Sequence, residues 1–195
     1  MSDVVIVALS EPVEDAYAVI APLVDEYVWW CVDELAERGA VSEDRAAVVA
    51  RHRILFRDKL PELLGPRGRL LVALTGGDAV GLGALEPIDS AVAEIKRMYV
   101  RPAARGAGIA RALLDRLVCD AAALGFRTAR LETATFMIEA QSLYLSMGFV
   151  DIPMFGNSET SHSGLESQAR FMHRPLVQPQ VSAARTFFRS ATNSA

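Results

Sequence analysis

Apolar side chains in the first part of the chain recur at helical spacing. They begin at position 13 and predict a long helix over residues 13–37: Val13, Tyr17, Ile20, Val24, Val28 and Leu35. A second helix is predicted from Ser42, a residue type common at helix N-caps, to about Lys59. Pro61 and the glycines that follow it predict a loop over residues 60–68.

Short apolar runs bounded by turn residues predict the strands. A hairpin is expected over residues 70–85, because Gly76 and Gly77 lie in a polar turn between two such runs. The other strands are expected at 4–9, 91–100, 127–133, 149–152 and 170–173, and two further helices at 109–124 and 137–146. This alternation predicts an α/β layered domain over residues 1–176, followed by a C-terminal tail at 177–195.

The composition favours a globular protein of the cytoplasm. The chain has 195 residues, of which 51% are hydrophobic and 23% charged, enough for a single domain with a sizeable core. Cys31 and Cys119 have no partner at metal-ligand spacing, so we expect reduced thiols and no metal site. No apolar run has the ~18 residues of a membrane span, and the N-terminal run is too short for a signal peptide.

Charge is distributed unevenly along the chain. The first 44 residues carry 11 acidic and one basic side chain, a net charge of −10, whereas the rest carries +6. The basic part suits a polyanionic cofactor. The acidic part either attracts a cationic amine acceptor or consists of solvated helix faces. Because basic and aromatic residues are not interleaved, we expect no nucleic acid partner.

A glycine-bearing turn joins the strand at 91–100 to the helix at 109–124. Its sequence is Arg105-Gly106-Ala107-Gly108-Ile109-Ala110-Arg111. Glycines at the start of a helix let a ligand approach the free N–H groups of the first turn, which suits phosphate. The spacing lacks the third glycine of a dinucleotide fingerprint and the Gly-Lys-Ser/Thr ending of a P-loop. An ordinary strand-to-helix turn is the other interpretation of this segment.

Three segments together resemble the GNAT superfamily of N-acetyltransferases. Arg105-x-x-Gly108-x-Ala110 is similar to its acetyl-CoA pyrophosphate loop, and Tyr144, followed four residues later by Gly148-Phe149, is similar to its helix-to-strand segment. Residues 94–100 resemble its central strand. The resemblance covers about residues 70–176. It implies a mixed, mostly antiparallel sheet with helices on both faces, and acetyl transfer from acetyl-CoA to an amine.

The resemblance also implies how acetyl-CoA is held. Backbone N–H groups of Gly106, Ala107, Gly108, Ile109, Ala110 and Arg111 would bind the pyrophosphate. Arg105 would add charge-assisted hydrogen bonds, and Arg111 either reaches a phosphate or is solvated. Main-chain groups of Met98, Tyr99 and Val100 would contact the pantetheine, with an N–H near Met98 stabilising the oxyanion. Met137 stands where many members have an asparagine that contacts pantetheine.

Two residues are the expected catalysts. Tyr144 would protonate the leaving thiolate, since its reference pKa near 10 keeps it protonated at neutral pH. Glu94 would be the base, because strand alternation places it on the same face as Lys96 and Met98. Glu86 and Glu132 are fallback bases, and many members of the superfamily use a water chain instead.

The leading function is therefore an acetyl-CoA-dependent N-acetyltransferase that acts on a small amine or an amino-acid-like acceptor. A catalytically inactive acyl-CoA-binding sensor or assembly module is the alternative. The sequence does not identify the acceptor. It also leaves the oligomeric state open, with a homodimer among the options.

Overall fold

The structure, a computed structural model, describes residues 3–41, 44–161 and 164–178. Within these ranges the helices are α1 (Val13–Glu37), α2 (Arg45–Leu64), α3 (Ile109–Ala123) and α4 (Ile138–Ser146). The strands are β1 (Val4–Ala8), β2 (Arg69–Thr75), β3 (Asp78–Pro87), β4 (Val92–Val100), β5 (Thr128–Ala134), β6 (Val150–Asp151) and β7 (Ala169–Pro175). Short 3₁₀ turns lie at Pro102–Ala104 and Glu166–Gln168.

The strands form one mixed sheet in the order β1-β2-β3-β4-β5-β7-β6. Every neighbouring pair is antiparallel except β4 and β5, which are parallel and connected through α3. A parallel pair requires such a crossover, and the helix that makes it covers one face of the sheet. The expected α/β layered fold, with a mostly antiparallel sheet and helices on both faces, is confirmed.

Each face of the sheet has its own apolar core. On one face, α3 and Tyr144 of α4 pack against strand residues such as Leu71, Ile95 and Leu131. On the other face, α1 and α2 pack against a different set that includes Leu70, Val72, Leu82 and Tyr99. Adjacent residues of β2, Leu70 and Leu71, thus point to opposite faces, as strand alternation requires.

The predicted loop over residues 60–68 is wrong in its first half, because α2 continues through Pro61 to Leu64. Proline inside a helix costs about 3 kcal/mol. Leu60 and Leu63 are 0% and 3% exposed, and burying two leucines stabilises by a comparable amount. The helix begins after Asp44, whose side chain accepts a hydrogen bond from the Ala46 N–H at 3.1 Å, whereas Ser42 lies outside the described residues.

The C-terminal tail predicted at 177–195 lies outside the described residues except for its first two positions. Just before it, the Leu176 N–H donates to the carbonyl of Arg127, and the Gln178 amide donates to the carbonyl of Phe126. These bonds fix the end of the described chain beside the start of β5.

A bulge in β4 shifts the alternation of its side chains by one residue, so that the residues after it point to the opposite face from the one expected. Lys96 pairs with Ala84 and Tyr99 pairs with Leu82, so Arg97 and Met98 together stand opposite Gly83. Arg97 has a φ of +56°, a conformation uncommon for a non-glycine residue.

The bulge overturns one sequence prediction, that Glu94, Lys96 and Met98 share a face. Ala93 and Ile95 lie on the α3 face before the bulge, and Met98 and Val100 lie there after it. Glu94 and Lys96 therefore face α1 and α2, and Met98 does not.

The parallel strands β4 and β5 separate along their length. Their pairing runs from Val92 opposite Thr128 to Ile95 opposite Leu131 and then stops, although β4 continues to Val100 and β5 to Ala134. Beyond Ile95, one edge of β4 is bonded to β3 and the other faces a gap. Ligands of α/β sheets commonly bind at the carboxyl ends of parallel strands, which makes this gap the candidate site.

Candidate active site

The glycine-bearing turn lies at the same carboxyl end of β4 as the gap. Gly106 and Gly108 have φ values of +81° and +77°, a left-handed conformation that glycine adopts without strain. Gly108 is the N-cap of α3, and a Cβ added there would meet no atom within 4 Å. Residues 105–108 are exposed, and the N–H groups of the first turn of α3 have no intrahelical acceptor. This turn can bind an anion such as a phosphate through its backbone.

The two arginines of the turn already have contacts. The Arg105 Nε donates to the carbonyl of Val100 at 3.1 Å, and its guanidinium carbon is 5.8 Å from the centroid of the Trp30 ring. Arg111 donates to the Ser146 hydroxyl at 2.8 Å and so links α3 to α4. Both side chains lie on the exposed surface of the turn and its helix, whereas the Ile109 side chain is buried in the core.

A cavity of about 640 Å³ adjoins the gap on the α1 and α2 side. Pockets that bind small molecules have about this volume. Arg51 and His52 of α2 line this cavity. The rest of its walls is mostly apolar and comes from α1, α2, the segment between β5 and α4, and the start of β7 with the segment before it: Tyr27, Val28, Cys31, Val32, Leu35, Val48, Leu55, Phe136, Met137, Leu165 and Ala169. Its floor is charged and comes from β4, β5 and Glu159.

Lys96 and Arg97 are the two cations of β4 on this floor. The Lys96 Nζ lies 3.0 Å from Glu159 and from Glu86, and 3.3 Å from Glu94, while Arg97 lies 2.8 Å from Glu159. Burial alone would lower the pKa of Lys96, but the carboxylates of Glu159, Glu94 and Glu86 raise it above its usual range. Burial would raise the pKa of Glu159, but Arg97 and Lys96 hold it well below the usual range.

The two candidate bases, Glu94 and Glu132, have different surroundings. Glu94 is 1% exposed, and its carboxylate is bound by Arg130 at 2.9 Å and by Lys96. Glu132 accepts hydrogen bonds from the backbone N–H groups of Glu159 at 2.8 Å and Thr160 at 3.2 Å. Burial raises the pKa of the Glu132 carboxyl despite these donors. A raised pKa suits Glu132 to accept a proton, whereas the carboxylate of Glu94 is enclosed by two cations.

Tyr144 lies on the opposite face of the sheet. Its ring is 5% exposed in the α3-side core, with a centroid 6.0 Å from that of Phe149. Burial raises the pKa of its hydroxyl, so the group is protonated at neutral pH. The same buried cluster contains Ile95 and Val100 of β4.

The structure thus places Glu132 in the cavity lining with Lys96 and Arg97, and Tyr144 in the core on the other face of β4. The glycine-bearing turn lies between β4 and α3. Met98 and Val100 direct their side chains to the α3-side core, and Tyr99 directs its side chain to the opposite core. Glu86 is bound by Lys59 at 2.7 Å and by Lys96. Sequence reasoning missed Arg97 and Glu159, which meet across 62 positions of sequence and carry no local pattern.

Neither a metal site nor a membrane-spanning helix is found among the described residues. In the described part of the chain no group of three or more His, Cys, Asp or Glu side chains is placed to hold a metal ion. Across the same residues, no helix combines the length and apolarity of a transmembrane span. His173 pairs with Arg130 in the sheet, and His162 lies outside the described residues.

Comparisons with known proteins identify relatives of this chain. The acetyltransferase (GNAT) domain family matches residues 66–151. The chain is 37% identical over 118 residues to the IAA acetyltransferase of Azospirillum brasilense, covering 60% of this chain and 74% of that protein. It is 38% identical over 79 residues to the uncharacterized N-acetyltransferase YjgM of Escherichia coli, covering 39% of this chain and 47% of that protein.

Solved structures share the fold at lower identity. The PaiA N-acetyltransferase of Thermoplasma acidophilum, in complex with coenzyme A, superposes with a TM-score of 0.65 at 20% identity, covering 89% of this chain and 99% of that one. A GNAT acetyltransferase of Staphylococcus aureus Mu50 gives 0.62 at 21% identity, covering 90% and 100%. The sequence relatives and the shared fold lead to one assignment: this chain belongs to the GNAT superfamily of acetyltransferases.

Proposed function

We propose that the protein transfers the acetyl group of acetyl-CoA directly to the amine of a small acceptor. The separation of β4 and β5 beyond Ile95 and Leu131 carries this proposal. It exposes the backbone edge of β4 beside an anion-binding helix start. The thioester arm of acetyl-CoA would lie along that edge, with its pyrophosphate on residues 105–111. A solved relative of the same fold binds coenzyme A, which supports this ligand.

The backbone of the turn and strand would do most of the binding. The N–H groups from Gly106 to Arg111 would hold the pyrophosphate, and Arg105 would add charge. Main-chain groups of Met98, Tyr99 and Val100 would hold the pantetheine. A main-chain N–H near Met98, at the bulge, would donate to the oxygen that becomes negative during attack.

The acceptor would occupy the 640 Å³ cavity, and its amine would lie between Glu132 and the thioester. Glu132 would take the proton of the ammonium, directly or through water, and Tyr144 would protonate the leaving thiolate. This replaces Glu94 as the base, because Glu94 is enclosed by Arg130 and Lys96. Glu94 would act as a positioning residue that holds these two cations.

Acetyl-CoA binding is tested by a matched pair of variants at the two ends of α3. Gly108 and Gly125 both have positive φ, and a Cβ at either would meet no atom within 4 Å. Gly108→Val and Gly125→Val should therefore strain the backbone to a similar degree. Only Gly108→Val places a side chain where the pyrophosphate would bind. We expect calorimetry to show acetyl-CoA affinity lowered about 30-fold or more in Gly108→Val and near wild type in Gly125→Val.

Equal acetyl-CoA affinity in both variants would contradict the binding assignment. The transfer itself is measured as release of free thiol from acetyl-CoA in the presence of amines, amino acids and peptides. Binding without thiol release for every acceptor would favour the inactive acyl-CoA-binding module.

A further inference from the structure

Two consecutive residues of β4, Lys96 and Arg97, bind the same carboxylate. Lys96 reaches one oxygen of Glu159 at 3.0 Å and Arg97 reaches the other at 2.8 Å. Consecutive residues of a regular strand point to opposite faces and do not share a small ligand. The bulge removes this restriction, at the cost of a positive φ at Arg97. Strained backbone of this kind is concentrated at functional sites.

The counter-ion that Lys96 and Arg97 share comes from a surface segment. Two other cations beside the floor have carboxylate partners on helices and strands: Lys59 pairs with Glu62 and Glu86, and Arg130 pairs with Glu94. Glu159 instead comes from residues 156–161, a segment without helix or strand. Its side chain is 40% exposed, whereas those of Lys96 and Arg97 are 18% and 15% exposed. The cations are thus fixed and enclosed, and their counter-ion lies on a surface turn.

We propose that Lys96 and Arg97 form a subsite for a carboxylate of the acceptor, and that Glu159 fills this subsite until the acceptor binds. The proposal rests on the proposed function and specifies its acceptor class. The acceptor is an α-amino acid or a close analogue, with its carboxylate on Lys96 and Arg97. The apolar walls formed by Val28, Val32 and Leu55 favour an apolar side chain.

Replacement of Glu159 by the acceptor carboxylate would also free Glu132 to act as the base. Glu132 accepts the backbone N–H groups of Glu159 and Thr160, so the residue that fills the subsite also donates to the base. When an acceptor carboxylate replaces Glu159 and residues 156–161 move outward, these two donors leave Glu132. Its carboxylate is then free to accept a hydrogen bond from the acceptor ammonium. An amine that lacks the carboxylate would leave Glu159 and its N–H group in place.

The test compares L-phenylalanine with L-phenylalaninamide, which keeps the amine and the apolar body but has no carboxylate. Calorimetry with saturating coenzyme A measures binding to the full chain without turnover. We expect wild type to bind the acid about 10-fold or more tightly than the amide. Glu159→Gln should strengthen binding of the acid about 5-fold or more and change binding of the amide less than about 2-fold. Arg97→Gln should reduce affinity for the acid to that for the amide.

Glu139→Gln, an exposed change on α4, is the control and should bind both compounds like wild type. Melting curves establish that each variant is folded, and Glu159→Gln tests the proposal alone if Arg97→Gln does not fold. Equal affinity for acid and amide in wild type, no binding of the acid, or weaker binding of the acid in Glu159→Gln would overturn the proposal. Tight binding of the acid without thiol release from acetyl-CoA would refute the proposed transfer and support the subsite.

Discussion

On the face of the sheet that α3 covers, β4 contributes Ala93, Ile95, Met98 and Val100, all apolar. On the face that α1 and α2 cover, the same strand contributes Glu94, Lys96 and Arg97 to a cavity. The apolar side chains are stabilised by leaving water and need no particular partner. The charged ones need counter-ions at short distance, and they obtain them from β3, β5 and residues 156–161. Along β4, the side chains that pack against α3 are therefore apolar, and the charged side chains lie in the cavity on the other face.

The largest expected difference separates the α3-side core from the cavity wall, and it is in the free energy of unfolding. Leu117 is 0% exposed in the α3-side core, whereas Leu55 is 53% exposed at the cavity wall. Leu117→Ala should destabilise the fold by about 2–5 kcal/mol, since it removes a fully buried side chain and leaves a cavity. Leu55→Ala should cost about 0.5 kcal/mol and instead raise the KM for the acceptor. Urea unfolding and steady-state kinetics check this pair, and equal losses of stability would contradict the division between the α3-side core and the cavity wall.

The next comparison is between Glu94 and Glu132, two carboxylates of the cavity floor. Glu94→Gln removes a buried carboxylate from Arg130 and Lys96, and should lower the free energy of unfolding by about 2 kcal/mol. Glu132→Gln removes the proposed base and should lower kcat/KM about 10²-fold while changing stability less. Thiol release and urea unfolding of both variants separate the two roles. If Glu94→Gln lost the rate and Glu132→Gln kept it, Glu94 would be the base.

The contribution of Glu159 to the free energy of unfolding is expected to be smaller and to depend on pH. Lys96 and Arg97 hold its folded pKa well below the ordinary 4.5, so its stabilising contribution is present above about pH 4.5 and lost as pH falls below that value. The Glu159 side chain is 40% exposed, so water limits the effect to about 1 kcal/mol or less. The difference in unfolding free energy between wild type and Glu159→Gln should therefore shrink between about pH 5 and pH 3. A constant difference over this range would show that Glu159 is not held by the two cations.

The difference between apolar packing and charged contacts also explains which features could be predicted from the sequence. The apolar face follows strand and helix periodicity, so α3, β5 and the turn at Gly106 and Gly108 were predictable from local pattern. The bulge at Arg97 was not, because an arginine at positive φ gives no sequence signal. Because of this bulge, the prediction that Glu94 and Met98 share a face of the strand was wrong. The pairing of Arg97 with Glu159 joins distant segments, so only the folded chain shows it.

Pro61 illustrates a second limit. A proline locally disfavours helix, and the prediction ended α2 before it. The helix nevertheless continues to Leu64, because Leu60 and Leu63 are buried against the sheet. That contact exists only in the folded protein. The roles of Tyr144 and the residues from Met98 to Arg111 stay predictions that follow from the family resemblance. The choice between Glu94 and Glu132 as the base awaits the experiments above.

In the proposed mechanism Tyr144 is the one polar group that the apolar face would supply to the chemistry, so it tests the proposal most directly. Its ring is buried in the α3-side core, and burial keeps its hydroxyl protonated. Tyr144→Phe retains the ring packing and removes only the proton donor. The decisive measurement is kcat for thiol release by Tyr144→Phe, with acetyl-CoA affinity and Tm recorded on the same preparation. We predict kcat lowered about 10²-fold or more, with affinity near wild type and Tm unchanged or higher. A wild-type kcat would contradict the account.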